Sequence, residues 1–174
     1  MGERSGSAGV PPAPGLGAGW TFRGYLPHYD RPGLIQMVTF GLADALPAAV
    51  LTKMKAESEA RRDAEGLQRV QTLLDAGHGT CHLKDARIAE LVQNAFFHFN
   101  GIRYQLLAWV VMLNHVHVLF ETLAGFPASD IVGSWKSFTS KAANKVLGQT
   151  GQFWQRDYFD RAIRDEGHFA VAVE

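Results

Sequence analysis

The sequence predicts a mixed α+β domain with one core, and three observations carry that prediction. Its 174 residues are enough for one domain with a real core and few for two. Apolar residues make up 47% and charged residues 20%, the balance of an ordinary globular chain. Strand-like and helix-like hydrophobic periods also follow one another along the chain. Around Asn114 two apolar strands stand almost end to end, the arrangement of neighbouring strands at the centre of a sheet.

Residues 1–22 are rich in Gly, Ala, Pro and Ser without any period, and read as a flexible leader ahead of a domain spanning 23–174. Arg23 to Gly33 is a turn-rich entry. Leu34 to Leu42 is a first strand, with β-branched residues and Phe40 between Gly33 and Asp44. Asp44 is placed to cap a helix with Pro47 in its first turn, continuing into the seventies. The stretch from Lys53 to Glu65 mixes four basic with four acidic residues, as a solvated helical face does. Glycines at 77 and 79 end that helix in a loop. Lys84 to Phe99 is amphipathic, with Ile88, Leu91, Val92, Ala95, Phe96 and Phe99 at spacings of three and four.

Ile102 to Leu113 reads as a long apolar strand, and the segment from His115 to Glu121 or Thr122 as its neighbour. Ser129 or Asp130 caps the next helix, which runs to about Leu147 with Ile131, Trp135, Phe138, Ala142 and Val146 inward, and Gly148 closes it. A compact aromatic and basic block, Gln152 to Arg164, leads to a last helix from about His168.

Composition narrows the function classes. Lys plus Arg equals Asp plus Glu at 17 each, so nucleic-acid binding has to rest on a local patch. Such a patch exists: Ser134 to Arg164 holds six basic and two acidic residues. Cys81 is the only cysteine, which rules out an internal disulfide and a cysteine zinc cluster and fits a reducing compartment. No apolar run approaches a membrane span, and residues 1–19 lack the apolar block of a secretion signal, so a cytoplasmic protein is expected.

The chemistry concentrates at His115 and His117. Residues two apart on a strand share a face, so both imidazoles project together, with Val116 and Val118 on the other side. Two imidazoles in an apolar strand are costly to bury unpaired and can hold a divalent cation. A catalytic site would need a third ligand and an open position. His78, Cys81 and His82 form a second group, but no partner pair with zinc spacing accompanies them. An unrelated His-x-His metal hydrolase would require Glu121, Asp157 or Asp160 beside the pair.

Asn114-His115-Val116-His117, following Trp109 to Met112, resembles the HUH motif (His, bulky hydrophobe, His) of REP-associated tyrosine transposases. These are relatives of the insertion-sequence transposases that act on single-stranded DNA. Arg23 to Asp30, Asp75 to Gly79, Ser134 to Thr139 and Phe153 to Glu166 resemble other blocks of that family, in its order.

The resemblance implies a ferredoxin-like HUH fold, a central antiparallel sheet with helices packed on one face. It implies Mg²⁺ or Mn²⁺ on His115 and His117, and single-stranded or hairpin DNA as partner, bound by a monomer or homodimer. A tyrosine would attack phosphorus, forming a 5′-phosphotyrosine and freeing a 3′-hydroxyl. Aligned on residues 153–166, that tyrosine falls immediately after Glu174, and a further metal ligand lies one turn beyond. Cleavage is therefore expected to be impaired in the chain as given. The alternative is a DNA-binding remnant without turnover.

Tyr158 is the tyrosine nearest the required region, but it sits inside the aromatic block and reads as a packing or DNA-contacting residue rather than a substitute nucleophile. Tyr25 and Tyr29 in the entry segment could stack on a base. Lys136, Lys141, Arg156, Arg161 and Arg164 are the candidate phosphate contacts.

Overall fold

The structure is a computed structural model describing residues 20–22, 27–29, 31, 33–50, 52 and 64–173, with side chains at 31, 33–50, 52 and 70–173. Residues 1–19, and the middle of the charged stretch after Lys53, lie outside the described residues. Trp20–Phe22 (β1) pairs antiparallel with Pro27–Tyr29 (β2) in a small two-stranded sheet.

The main sheet has four strands. Ile35–Gly41 (β3) is followed by Ala64–Asp75 (α1), a 3₁₀ turn at His82–Lys84 and Ala86–His98 (α2). Tyr104–Val111 (β4) and His115–Thr122 (β5) form the hairpin around Asn114. Ala128–Leu147 (α3), Phe159–Ala162 (β6) and Glu166–Val173 (α4) complete the chain. The strand order is β4-β5-β3-β6, and every neighbouring pair is antiparallel. With helical connections after β3 and β5, this is the split βαβ arrangement of a ferredoxin-like domain.

The two faces of β5 have different tasks. Val116, Val118 and Phe120 point with Val38 and Phe40 of β3 into the core, against Ile88, Val92 and Phe96 of α2 and Ile131, Val132 and Trp135 of α3. His115 stands across from Gly41, and His117 from Thr39, on the opposite face. The end of α1 reaches that opposite face: a Cβ on Gly41 would lie 3.2 Å from Leu74 Cδ2. The sheet thus has two helices over its core face and the end of a third over its histidine face.

Several local expectations change for identifiable reasons. Residues 48–50 and 52 are helical just after Pro47, as expected, but Asp44 stands three residues before that proline and is not the cap. Its carboxylate instead accepts from the Thr80 backbone N–H (2.8 Å), clamping the loop after α1. Gly79 makes that clamp possible, because at φ +87° a Cβ there would meet the Asp44 carbonyl at 2.6 Å. Neither Ser129 nor Asp130 caps α3. Pro127, at φ −65° and ψ 146°, is the residue that leads into the helix, two positions before Ser129. Phe138 is 58% exposed and Val146 is also exposed. Thr139 and Ala143 are buried in the inward row, the Thr139 hydroxyl donating to the Trp135 carbonyl (2.7 Å) and accepting from Trp154 Nε1 (2.8 Å).

Candidate metal centre and its surroundings

The strand period brings His115 and His117 to one side, and the βα crossover brings α1 back over them. His115 is 1% exposed, and its Nε2 lies 3.0 Å from His117 Nε2 and 3.4 Å from Asp75 Oδ1. One ligand atom from each of Asp75, His115 and His117 falls within a 4.8 Å span. Among the described residues this is the one group of three or more His, Cys, Asp or Glu side chains able to hold a metal ion.

The surrounding hydrogen bonds fix which atoms carry protons. Asn114 Nδ2 donates to the His78 carbonyl (2.8 Å), so its Oδ1 is left facing His115 Nδ1, also at 2.8 Å. An amide oxygen only accepts. His115 therefore carries its proton on Nδ1, and its Nε2 presents a bare lone pair. His117 Nδ1 is held by the Thr39 hydroxyl at 2.7 Å. Gln71 Nε2 donates to Asp75 Oδ1 (3.1 Å) and stands 3.1 Å from His117 Nε2. An amide nitrogen is a donor, so His117 Nε2 must accept there.

Two unprotonated imidazole nitrogens thus stand 3.0 Å apart beside a carboxylate oxygen, with the Gln71 amino group as the one donor shared by His117 and Asp75. That is a set of acceptors one cation short, and it fits the divalent ion expected for this site. Holding each remaining ring nitrogen on an oxygen is how proteins orient metal-binding histidines.

Electrostatics agree with neutral, ligand-ready rings. Burial first, and the neighbouring His117 second, push the His115 pKa down to about 4 against the raising effect of Asp75. Burial also lowers the His117 pKa, again opposed by Asp75. A linkage follows. With folded pKa values below the 6.5 of a free imidazole, the unfolded chain takes up protons first as pH falls. Stability is then full above about pH 6.5 and declines as pH drops from 6.5 towards about 4. Urea unfolding in chelator is expected to show a lower midpoint at pH 5 than at pH 7. A midpoint equal or higher at pH 5 would contradict buried neutral rings.

The basic candidates do not form one patch. Lys136 and Arg156 line a cleft of about 390 Å³ with Ser137, Ser140 and Gln152 to Gln155. Lys136 is half-buried and donates to the carbonyls of Arg156 (3.0 Å) and Asp157 (3.2 Å). Burial lowers its pKa to about 8, with Asp157 opposing the shift. It fastens the 152–158 segment to α3, so the outward cation of this cleft is Arg156. Lys141 is exposed on α3 and Arg164 is exposed after β6. Arg161 pairs with Met37 across β6 and β3, on the histidine face, and its Nη2 meets His168 Nε2 at 2.6 Å.

Tyr158 is 7% exposed within the hydrophobic core, and Tyr104 is buried with its hydroxyl donating to the Phe96 carbonyl (2.8 Å). Tyr25 and the side chain of Tyr29 lie outside the described residues. Glu121, Asp157 and Asp160 are not in the metal cluster; Asp75 supplies the carboxylate. The His78, Cys81 and His82 side chains do not assemble either. Cys81 Sγ points at the Gly77 carbonyl (3.2 Å), and His82 stacks on Phe153.

Asp75 and Gln71 were not legible as site residues, being forty or more positions from the histidines. The available signal was their i, i+4 spacing at the end of a helix returning over a sheet, beside the family-like block that begins at Asp75.

Fold and site together define a ferredoxin-like domain with a His-x-His pair and a carboxylate converging on one point of its sheet. A model of the family described as IS200-like transposase matches residues 83–171, from the 3₁₀ turn through most of α4. The chain belongs to that family. No curated protein sequence matches it.

Two solved structures are similar to it. One is the REP-associated tyrosine transposase bound to a REP hairpin, at 17% identity and TM-score 0.49, with 84% of this chain and 66% of that chain covered. The present chain thus spans slightly less than two thirds of that protein. The other is a crystal structure of a protein assigned as a transposase from Deinococcus radiodurans R1, at 14% identity and TM-score 0.43, covering 87% of this chain and 91% of that one.

Proposed function

We propose that the protein binds single-stranded or hairpin DNA and provides the metal-binding half of the family's strand cleavage and joining, with Asp75, His115 and His117 holding Mg²⁺ or Mn²⁺. The observation that carries this reading is the convergence of two imidazole nitrogens and one carboxylate oxygen in a transposase-family domain. A divalent cation held there supplies positive charge beside a phosphoryl oxygen of the scissile linkage, stabilising the charge that builds in the transition state.

The chain's own residues do the rest. Asn114 and Thr39 orient the rings, and the Asp44–Thr80 clamp fixes the loop that follows Asp75. In the reaction a tyrosyl oxygen bonds to the 5′ phosphorus, while the 3′ oxygen leaves and takes up a proton. Tyr104 and Tyr158 are core residues and are not assigned that attack. Two imidazole donors favour Mn²⁺ over Mg²⁺, whose preference is for an all-oxygen shell. Lys141, Arg156, Arg161 and Arg164 are proposed as phosphate contacts, and Lys136 as the residue that positions Arg156 by holding its carbonyl.

Gel-shift titration with labelled hairpin DNA, with Mn²⁺ or with chelator, tests this reading. Affinity is expected to fall with salt, and Lys141→Ala combined with Arg156→Ala to flatten the log–log salt slope by roughly 1.4 for two single-strand phosphate contacts. Any covalent adduct seen on a denaturing gel should survive Tyr158→Phe and disappear in chelator. Binding indifferent to chelator and to His115→Ala, with no adduct, would favour the non-catalytic DNA-binding reading. An adduct lost in Tyr158→Phe would overturn the placement of Tyr158 in the core alone.

A further inference from the structure

Gln71 lies one turn before Asp75 on α1, and both precede the segment matched by the family model. Their side-chain heads close a ring with the histidines. From His115 Nε2 the successive separations are 3.0 Å to His117 Nε2, 3.1 Å to Gln71 Nε2, 3.1 Å to Asp75 Oδ1 and 3.4 Å back to His115 Nε2. In a six-coordinate ion with bonds of roughly 2.1 Å, neighbouring donors lie roughly 3.0 Å apart. Four polar heads already stand at the spacing of four adjacent ligand positions.

The ring has one internal conflict. The Gln71 amino group satisfies Asp75 and His117, but it leaves His115 Nε2 without a donor, 3.0 Å from the equally unprotonated His117 Nε2. From one corner of the ring its NH₂, the positive end of the amide dipole, supplies to two of the acceptors the positive charge that a cation inside the ring would supply to all of them. The amide is nearly symmetric in shape, so a half-turn about its terminal bond puts an oxygen where the nitrogen was.

We propose that Gln71 is a fourth metal ligand: in the ion-free protein its NH₂ bridges Asp75 and His117, and on ion binding the amide turns to present Oε1. The inference rests on the metal-binding reading above and deepens it. The site then draws two nitrogens from β5 and two oxygens from α1, all within residues 71–117. The cation consequently ties α1 to the sheet, and a divalent ion with mixed nitrogen and oxygen preference, such as Mn²⁺, suits the set.

The test is Mn²⁺ titration of the full chain, following the electron paramagnetic resonance signal of the free ion, with far-UV circular dichroism confirming the fold of each variant. Gln71→Ala is expected to weaken binding on the order of tenfold. Gln71→Glu, which keeps an oxygen in reach and adds charge, is expected to bind at least as tightly as the parent. Unchanged or tighter binding in Gln71→Ala would overturn the ligand role and leave Gln71 as a plug.

If Gln71→Ala does not fold, the Gln71 side-chain NH₂ resonance of the parent protein decides the matter during Mg²⁺ titration. A shift away from its hydrogen-bonded position supports the turn, and an unmoved resonance refutes it. Failure of the parent to bind Mn²⁺ at all would remove the metal reading itself. Loss of binding in His115→Ala alongside a neutral Gln71→Ala would remove only the present inference.

Discussion

His115→Ala is expected to abolish measurable Mn²⁺ binding, weakening it by more than the roughly 10- to 100-fold typical when an outer-shell partner of a metal ligand is lost. His115 is the most enclosed of the donors, at 1% exposure, and its Nε2 lies within 3.4 Å of both His117 Nε2 and Asp75 Oδ1. Asn114 already fixes its tautomer, so the ring spends little ordering free energy on binding. Isothermal titration of the parent and the variant with MnCl₂ measures the effect. Removing the ring also removes a buried polar group from a sheet that His117 still shares, so the variant should stay folded. Retained affinity within a factor of about three, comparable with ordinary scatter among single interactions, would place the ion elsewhere.

Trp135→Ala is expected to cost about 3–5 kcal/mol of folding stability, the range for deleting a large aromatic from a core. Trp135 is 2% exposed and sits at the meeting point of three rings, with centroids 5.0 Å from Phe96, 5.0 Å from Tyr104 and 5.1 Å from Phe120. Its Nε1–H donates to the Tyr104 hydroxyl (2.9 Å), which in turn donates to the Phe96 carbonyl (2.8 Å). One side chain thus joins α3 to α2, β4 and β5. Because Phe120 shares its strand with the histidines, the substitution should also weaken divalent-ion binding. Trp135→Phe keeps most of the ring contact and loses the hydrogen bond, so about 1 kcal/mol is expected there. Urea unfolding followed by circular dichroism measures both. A Trp135→Ala loss below about 2 kcal/mol would contradict the central packing role.

The histidine pair was readable from the chain because a two-residue period in an apolar strand decides its face with no tertiary information. The ferredoxin-like topology followed from the family resemblance, and the strand order β4-β5-β3-β6 agrees with it. Asp75 was not readable as a ligand. It looks like any acidic residue ending a charged helix, and only the βα crossover brings it within 3.4 Å of His115.

The same limit applies to Lys136. Spacing shows a lysine on a helix face, whereas its two carbonyl acceptors come from a segment twenty residues later. Phe138 fails in the opposite sense. Its helical spacing matched the apolar row, but Thr139 and Ala143 face the core, and a hydroxyl paired with Trp154 Nε1 fills a position that hydrophobicity would give to an apolar residue. Period-based reading captures what a single element dictates. Ligand sets and clamps arise between elements distant in sequence.

The proposed DNA binding has to be reconciled with a neutral overall charge. The cationic side chains lie on more than one surface, with Arg161 on the histidine face and Lys141 on α3. On that proposal, a flexible single strand would reach separated cations more readily than a rigid duplex.

The most direct measurement is an anomalous difference map, at the manganese absorption edge, from crystals of the protein grown with MnCl₂. The proposed centre predicts a peak in contact with His115 Nε2, His117 Nε2 and Asp75 Oδ1 together. A map with no peak there, or with manganese bound only at other carboxylates, would contradict it.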